Sequence, residues 1–197
     1  WPPLDQVGEI SAAMGEPLST SWPRTWFAGA EASTMVGPVG LRAEAGGWSR
    51  AVVQTPWLGS AVSPKLSGGL GLDWMHSTTL MLSLESRYTR ILTPPEALVL
   101  MREEQLELGG MVRWTTLQDR LTLLGAAMLE PQHGEYLARP EVRYRASDAL
   151  ELGLGAVWLG GSAATPDTLQ EAMVYEAGPM AYFSENDCLF VQLQWIQ

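Results

Sequence analysis

Apolar residues alternate with polar or small residues over six stretches of the chain, and each apolar series ends in an aromatic ring. Two of these series are Leu66, Gly68, Leu70, Leu72, Trp74 and Leu189, Val191, Leu193, Trp195. In a β-strand, residues i, i+2 and i+4 lie on the same face. Each stretch is therefore predicted to be a strand with an apolar face that ends in a ring. This pattern is typical of lipid-facing strands that reach an aromatic girdle.

Turn residues divide the chain into nine predicted strands. Short pairs such as Gly37-Pro38 and Ser147-Asp148 alternate with longer irregular stretches. The strands are predicted at 24–36, 39–50, 65–75, 78–91, 103–115, 120–130, 138–146, 149–160 and 188–197, and the irregular stretches at 51–64, 92–102, 131–138 and 161–187. Outer-membrane barrels alternate tight turns with long loops. The sequence therefore predicts an all-β, antiparallel transmembrane β-barrel.

Residues 24–197 are expected to form the barrel portion, and residues 1–23 an outer loop or N-terminal segment. Single-chain bacterial barrels have even strand numbers. Nine strands therefore predict part of a larger barrel, whose further strands lie upstream or in another polypeptide. The stretch 161–187 is expected to be one long loop that can contain a short helix at 168–177. A tenth strand through Ala172–Tyr175 and Met180–Phe183 is the alternative.

Charged residues occupy the parity opposite to the apolar one. A basic residue that faces lipid at the bilayer midplane costs about 2–4 kcal/mol, so these charges are predicted to face the lumen. The lumen-facing candidates are Glu31, Arg42, Glu44, Asp73, Glu85, Arg87, Glu107, Arg113, Arg139, Glu141 and Arg143. Two interpretations stay open: a lattice of ion pairs that stiffens the wall, or a polar pathway for a charged or sugar-like solute.

The aromatic rings are predicted to form two girdles, one at each end of the strands. The girdle candidates are Trp26, Trp74, Tyr88, Trp114, Tyr136, Tyr144, Trp158 and Trp195. A soluble all-β sandwich or barrel would also bury rings on one parity. It has no reason, however, to place them at strand ends on both rims, so the membrane barrel is favoured.

Composition supports this prediction and excludes other classes. Hydrophobic residues make up 46% of the chain and charged residues only 17%, below the roughly 25% usual for soluble proteins. The net charge of -10 argues against nucleic acid as a partner, because phosphates need a basic surface. No apolar run approaches the roughly 18 residues of a membrane helix, so the chain would cross a bilayer as strands.

No motif for catalysis, metal binding or cofactor binding is recognised in the sequence. His76 and His133 are expected on opposite rims as solvated turn and loop residues, so they cannot share a metal ion. The Gly-x-Ser-x-Gly nucleophile motif is absent. Cys188 is the only cysteine, which excludes an intrachain disulfide. We therefore expect no enzyme activity, no catalytic residue, no metal and no cofactor.

Three short segments resemble large Gram-negative outer-membrane barrels of the alginate-export-like kind or a related barrel family. They are Gly37-Pro38-Val39-Gly40-Leu41-Arg42-Ala43-Glu44-Ala45, Gly69-Leu70-Gly71-Leu72-Asp73-Trp74, and the segment from Gly178-Pro179 through Ser184-Glu185-Asn186-Asp187 into Leu189–Trp195. The resemblance implies the C-terminal portion of such a barrel, an outer-membrane location and no enzymatic activity. It does not identify a solute. Such barrels usually end on an aromatic residue, whereas here Ile196-Gln197 follow Trp195.

Three functions remain open at this point. The first is a porin-like passive pore or transport channel in the bacterial outer membrane, with an Arg/Glu-lined lumen. The second is a structural barrel subunit that anchors a multi-protein envelope complex. The third is a soluble all-β binding domain. For the first two, the expected partners are the lipid bilayer and either other envelope proteins or further barrel strands.

Overall fold

The structure, a computed structural model, describes residues 24–56, 59–99, 101–161 and 179–195. It contains nine strands and one helical turn: β1 (Phe27–Val36), β2 (Val39–Thr55), β3 (Gly59–Met75), β4 (Leu80–Ile91), β5 (Glu104–Thr116), β6 (Leu121–Glu130), β7 (Glu135–Ser147), β8 (Leu150–Gly160), β9 (Cys188–Trp195) and α1 (Pro179–Tyr182). The predictions of an all-β chain and of nine antiparallel strands are confirmed.

The strands form one sheet in which each strand pairs with its neighbours in the chain, in the order β1 to β9. Every pairing is antiparallel. In the described part of the chain, β1 and β9 are the two edges and do not pair with each other. The sheet is therefore not closed, and closure into a barrel stays a prediction.

The pairing register keeps the two residue classes on separate faces. One row across β1–β5 consists of Ala32, Ala43, Leu70, Ser86 and Leu108. The neighbouring row, on the other side of the sheet, consists of Glu31, Glu44, Gly69, Arg87 and Glu107. Because adjacent residues point to opposite faces, we call the first side the apolar face and the second the charged face.

Strands β2 and β3 are longer than predicted, so the prediction of an irregular stretch at 51–64 is wrong. Val52 pairs with Val62 beyond the predicted strand ends, and β3 runs through Pro64. The register shifts between Trp48 and Ala51, opposite this proline. A bulge leaves a ladder position without a backbone partner, and a proline needs no partner for its missing N–H. Pro64 is therefore compatible with the strand.

The expected strict alternation of short and long connections is also wrong. Strand β7 begins at Glu135, so the connection after β6 is the short segment 131–134 and not 131–138. The irregular stretch predicted at 92–102 is confirmed for its described residues, and β5 begins at Glu104, one residue later than predicted. Residues 179–182 form the helical turn α1, which overturns the alternative of a strand there. The predicted helix at 168–177 and the predicted segment 1–23 lie outside the described residues.

Little of the sheet is covered by protein. A small cluster of Val53, Ile91 and Leu98 is buried at one end of the charged face. On the apolar face, Leu70 is 66% exposed and Leu84 60% exposed. No described residue forms a second layer over that face, although soluble proteins rarely leave large apolar surfaces open. No helix in the described part of the chain is long and apolar enough to cross a membrane.

Candidate functional site

All eight predicted girdle residues lie on the apolar face, in two groups at opposite ends of the strands. We call the end with the β1–β2 and β7–β8 turns the turn end, and the opposite end the loop end. The turn end carries Trp74, Trp114, Tyr144 and Trp195, and the loop end carries Trp26, Tyr88, Tyr136 and Trp158. Rings at both ends of one open face are the arrangement found in membrane-spanning strands.

Strand β7 shows the distance between the two rims directly, because it carries a ring at each end. Tyr136 and Tyr144 lie on the apolar face, with Ala138, Pro140 and Val142 between them. Eight residues at about 3.3 Å each separate the rings by roughly 26 Å along the strand. The apolar band of a membrane barrel is about 25 Å tall, and its strands are tilted by about 35–45°. At that tilt the distance between the rings corresponds to roughly 18–21 Å of height, a little less than the band.

Charges on the apolar face lie only beyond the rings. On β3–β9, the charged residues of this face are Arg90 and Glu104, which are cross-strand partners at the loop end. Their Nε and Oε1 atoms are 3.2 Å apart, and both side chains are well exposed. Arg90 lies two residues beyond Tyr88 on the same strand. The part of this face between the rims therefore carries no charge on these strands.

All eleven predicted lumen-facing residues lie on the charged face. Several of them form ion pairs across strands. Arg42 Nε lies 3.2 Å from Asp73 Oδ2, and Arg87 Nη2 lies 3.7 Å from Glu44 Oε1. In these two pairs both partners are partly exposed, so each contributes only about 0–1 kcal/mol to stability.

Glycines make room for the long charged side chains on this face. A Cβ atom added to Gly109 would lie 2.8 Å from Glu85 Cγ. A Cβ atom added to Gly71 would lie 3.3 Å from Arg42 Nε. The arginine and glutamate side chains therefore lie against the sheet beside these positions instead of standing away from it.

Glu141 is the centre of a more buried cluster. Its side chain is 3% exposed and accepts hydrogen bonds from the guanidinium groups of Arg139 and Arg143. The Arg139 guanidinium also lies 5.3 Å from the ring centroid of Phe190 on β9. Charged-face contacts therefore continue from β7 to the edge strand.

The most buried charges were missed by the sequence prediction. Arg102 Nη2 lies 2.7 Å from Glu135 Oε1, and Arg102 Nε lies 3.5 Å from Glu130 Oε1. The two carboxylates face each other across β6 and β7, and their side chains are 0% and 1% exposed. Two buried carboxylates that are both charged repel each other, and the cation between them offsets that repulsion. We call Arg102, Glu130 and Glu135 the clamp.

His133 and the helical turn extend the clamp. His133 Nδ1 lies 2.7 Å from Glu130 Oε1, so the expectation of a merely solvated loop histidine is wrong. Its place in the turn before β7, three residues after Glu130, brings it back onto that carboxylate. The backbone N–H of Ala181 in α1 donates to Glu135 at 3.4 Å. His76 lies in the β3–β4 turn at the opposite end of the sheet, as predicted.

One long connection folds onto the charged face. Residues 92–99 and 101–103, which we call the strap, join β4 to β5. The Val99 N–H donates to Gln54 O on β2, and the Leu92 N–H donates to Pro64 O on β3. Leu98 packs on Val53 and Ile91. At its other end the strap contributes Arg102 to the clamp.

Three comparisons found no matching protein-family model, no matching curated protein and no matching solved structure. The resemblance to alginate-export-like barrels therefore stays a prediction drawn from three short segments. Within the described ranges, no group of three or more His, Cys, Asp or Glu residues is placed to hold a metal ion.

Replacing Arg102 by alanine should destabilise the fold far more than replacing Arg90. Arg102→Ala leaves two buried carboxylates without their cation, at a cost of about 3–5 kcal/mol. Arg90→Ala removes an exposed pair at the same end of the sheet, at a cost of about 0–1 kcal/mol. Urea unfolding of both variants in detergent micelles measures the difference. Equal losses would show that the clamp is no stronger than a surface pair.

Proposed function

We propose that the chain is part of an outer-membrane β-barrel that acts as a passive, porin-like pore. In this proposal the apolar face contacts lipid and the charged face lines a water-filled lumen. One observation carries it: an open apolar face, uncharged between two aromatic rims on β3–β9, lies opposite a face that carries the arginines and glutamates. Lipid is the solvent that makes such a face stable.

The exposure of the apolar side chains favours lipid over a protein interior. In a soluble all-β binding domain, Leu70 and Leu84 would pack against a second layer, but they are more than half exposed. Leucines of this kind gain about 25 cal/mol for each Å² removed from water. A bilayer provides that burial along the whole face, from rim to rim.

Without detergent, we expect the purified chain to aggregate in aqueous buffer, because the open apolar face would be in water. In detergent micelles it should stay monodisperse. Size-exclusion chromatography with light scattering, run with and without detergent, measures this. A monodisperse species in buffer alone would support the soluble binding domain instead.

The chemistry of the charged face favours passage of solutes over catalysis. Acidic and basic side chains alternate there, and Arg42 and Arg87 each form an ion pair with a carboxylate of the same face. Such a wall offers many weak contacts to a charged or sugar-like solute. We assign no nucleophile, general base, metal or cofactor to it.

A structural role is the second candidate, and the ion pairs of the charged face favour it. Glu141 is fully engaged by two arginines, and the strap covers part of the face near the loop end. A filled barrel of this kind could anchor an envelope complex through its rims without passing a solute. The two candidates differ in conductance and share the same membrane location.

Further strands are the partners that the open sheet edges require in a membrane. Unpaired backbone groups cost several kcal/mol each in hydrocarbon, so spanning sheets are closed. Since every neighbouring pair is antiparallel, β1 and β9 run in the same direction. Closure through antiparallel pairs alone therefore needs an odd number of further strands, which brings the total to an even number, as in bacterial barrels.

An arginine in the middle of the apolar face should impair membrane insertion. Leu84 lies midway between the two rims on β4, and Ser83 beside it lies on the charged face. Leu84→Arg should cost about 2–4 kcal/mol of stability in lipid vesicles. Ser83→Arg is the matched control and should cost little, because it replaces the serine hydroxyl that donates to Asp73 by a cation beside the same carboxylate. Equal behaviour of the two variants in vesicle-folding titrations would contradict the assignment of faces.

Charge substitutions on the charged face should change ion selectivity in opposite directions. Arg42→Ala leaves Asp73 without its positively charged partner and should favour cations, whereas Glu85→Ala should favour anions. Arg90→Ala lies on the apolar face and should leave selectivity unchanged. Reversal potentials in planar bilayers measure this. A correctly inserted but silent protein would favour the anchoring role instead.

A further inference from the structure

The strap is attached at both of its ends, to opposite sides of the charged face. One attachment is the pair of backbone hydrogen bonds to Gln54 and Pro64, on β2 and β3. The other is Arg102, which reaches Glu130 on β6 and Glu135 on β7. From β2 to β7 there are five strand spacings of about 4.8 Å, so the attachments span roughly 24 Å of the sheet.

This path is longer than the connection requires. Strands β4 and β5 are antiparallel neighbours, and two to five residues suffice to join such a pair. The chain uses twelve, residues 92–103. The extra length places Leu98 in the apolar cluster and Arg102 between the two buried carboxylates. Both contacts direct the segment onto the charged face and away from the outside of the sheet.

The strap covers part of the charged face at the loop end. A cavity of about 480 Å³ lies beside the strap, lined among others by Pro95, Glu103 and His133. In the proposed pore, a solute that moved along this part of the charged face would meet the strap.

We propose that the strap limits the passage of solute at the loop end and that Arg102 is the residue that positions it there. The restricting role rests on the proposed pore, whereas the positioning role of Arg102 does not. Arg102 acts by placing one positive charge in contact with both Glu130 and Glu135. Without it, the two carboxylates repel each other, and the strap loses its attachment to β6 and β7. The hydrogen bonds of Leu92 and Val99, and the one that Glu103 O accepts from the Ile91 N–H, remain, so the part of the strap around Met101 is the part released.

The test measures the position of the strap and the conductance separately. Met101 lies next to Arg102 and is partly buried against the Val53, Ile91 and Leu98 cluster, and Cys188 is exposed, so a Met101→Cys reporter is placed in a Cys188→Ser background. We expect a water-soluble maleimide to label the reporter at least about tenfold faster in micelles when Arg102→Ala is added. Arg90→Ala, the exposed pair at the same end, should leave the rate unchanged. In planar bilayers, Arg102→Ala should also raise the single-channel conductance.

Each result decides a different part of the proposal. Equal labelling in all proteins would overturn the positioning role of Arg102. Faster labelling with an unchanged, measurable conductance would overturn the restricting role of the strap. Faster labelling with no current from any protein would overturn the pore and retain the positioning role. Should Arg102→Ala fail to fold, Arg102→Lys is the substitute. It keeps the charge but lacks the two guanidinium nitrogens that contact Glu130 and Glu135. The reporter should then be labelled faster than in the protein with Arg102 intact.

Discussion

The two-residue period of the β-strand is the constraint on which the rest of the structure depends. A shift of one residue in the register would move every side chain of a strand to the other face. In this chain such a shift would place Glu85 and Arg87 among leucines, and Leu84 among ion pairs. The cost of that exchange in lipid is far larger than the energy of any single cross-strand contact. The separation of apolar and charged residues therefore excludes register shifts by an odd number of residues, and the short turns between strands fix the rest of the register.

A sheet of this kind needs a different source of stability from a soluble domain. Its buried apolar residues are few among those described, and the largest cluster contains Val53, Ile91 and Leu98. Backbone pairing along eight strand interfaces and burial of the apolar face by the surroundings must supply the rest. In hydrocarbon each paired backbone group avoids a penalty of several kcal/mol. The ladder and the lipid would thus stabilise the sheet together.

Much of this arrangement could be predicted from sequence because it repeats at a short period. The faces of Leu84 and Glu85, and the rims at Tyr88 and Trp114, follow from parity and strand direction alone. The full lengths of β2 and β3 could not be predicted, because the bulge in β2 and Pro64 opposite it in β3 interrupt the alternation of apolar and polar residues. The clamp depends on contacts between residues far apart in sequence. Arg102 stood in a predicted loop, where no periodic pattern assigns a partner.

The charged face contains two kinds of ion pair, and their burial suggests different roles. Arg42 with Asp73 and Arg87 with Glu44 are partly exposed, so water and salt can replace each partner at little cost. In the proposed pore, such pairs would exchange contacts with a passing solute. The clamp at Glu130 and Glu135 is buried, and a missing partner there is costly. A wall that combines both kinds can be adaptable along most of its length and rigid where the strap is attached. For this reason, the buried clamp alone does not favour the anchoring role over the pore.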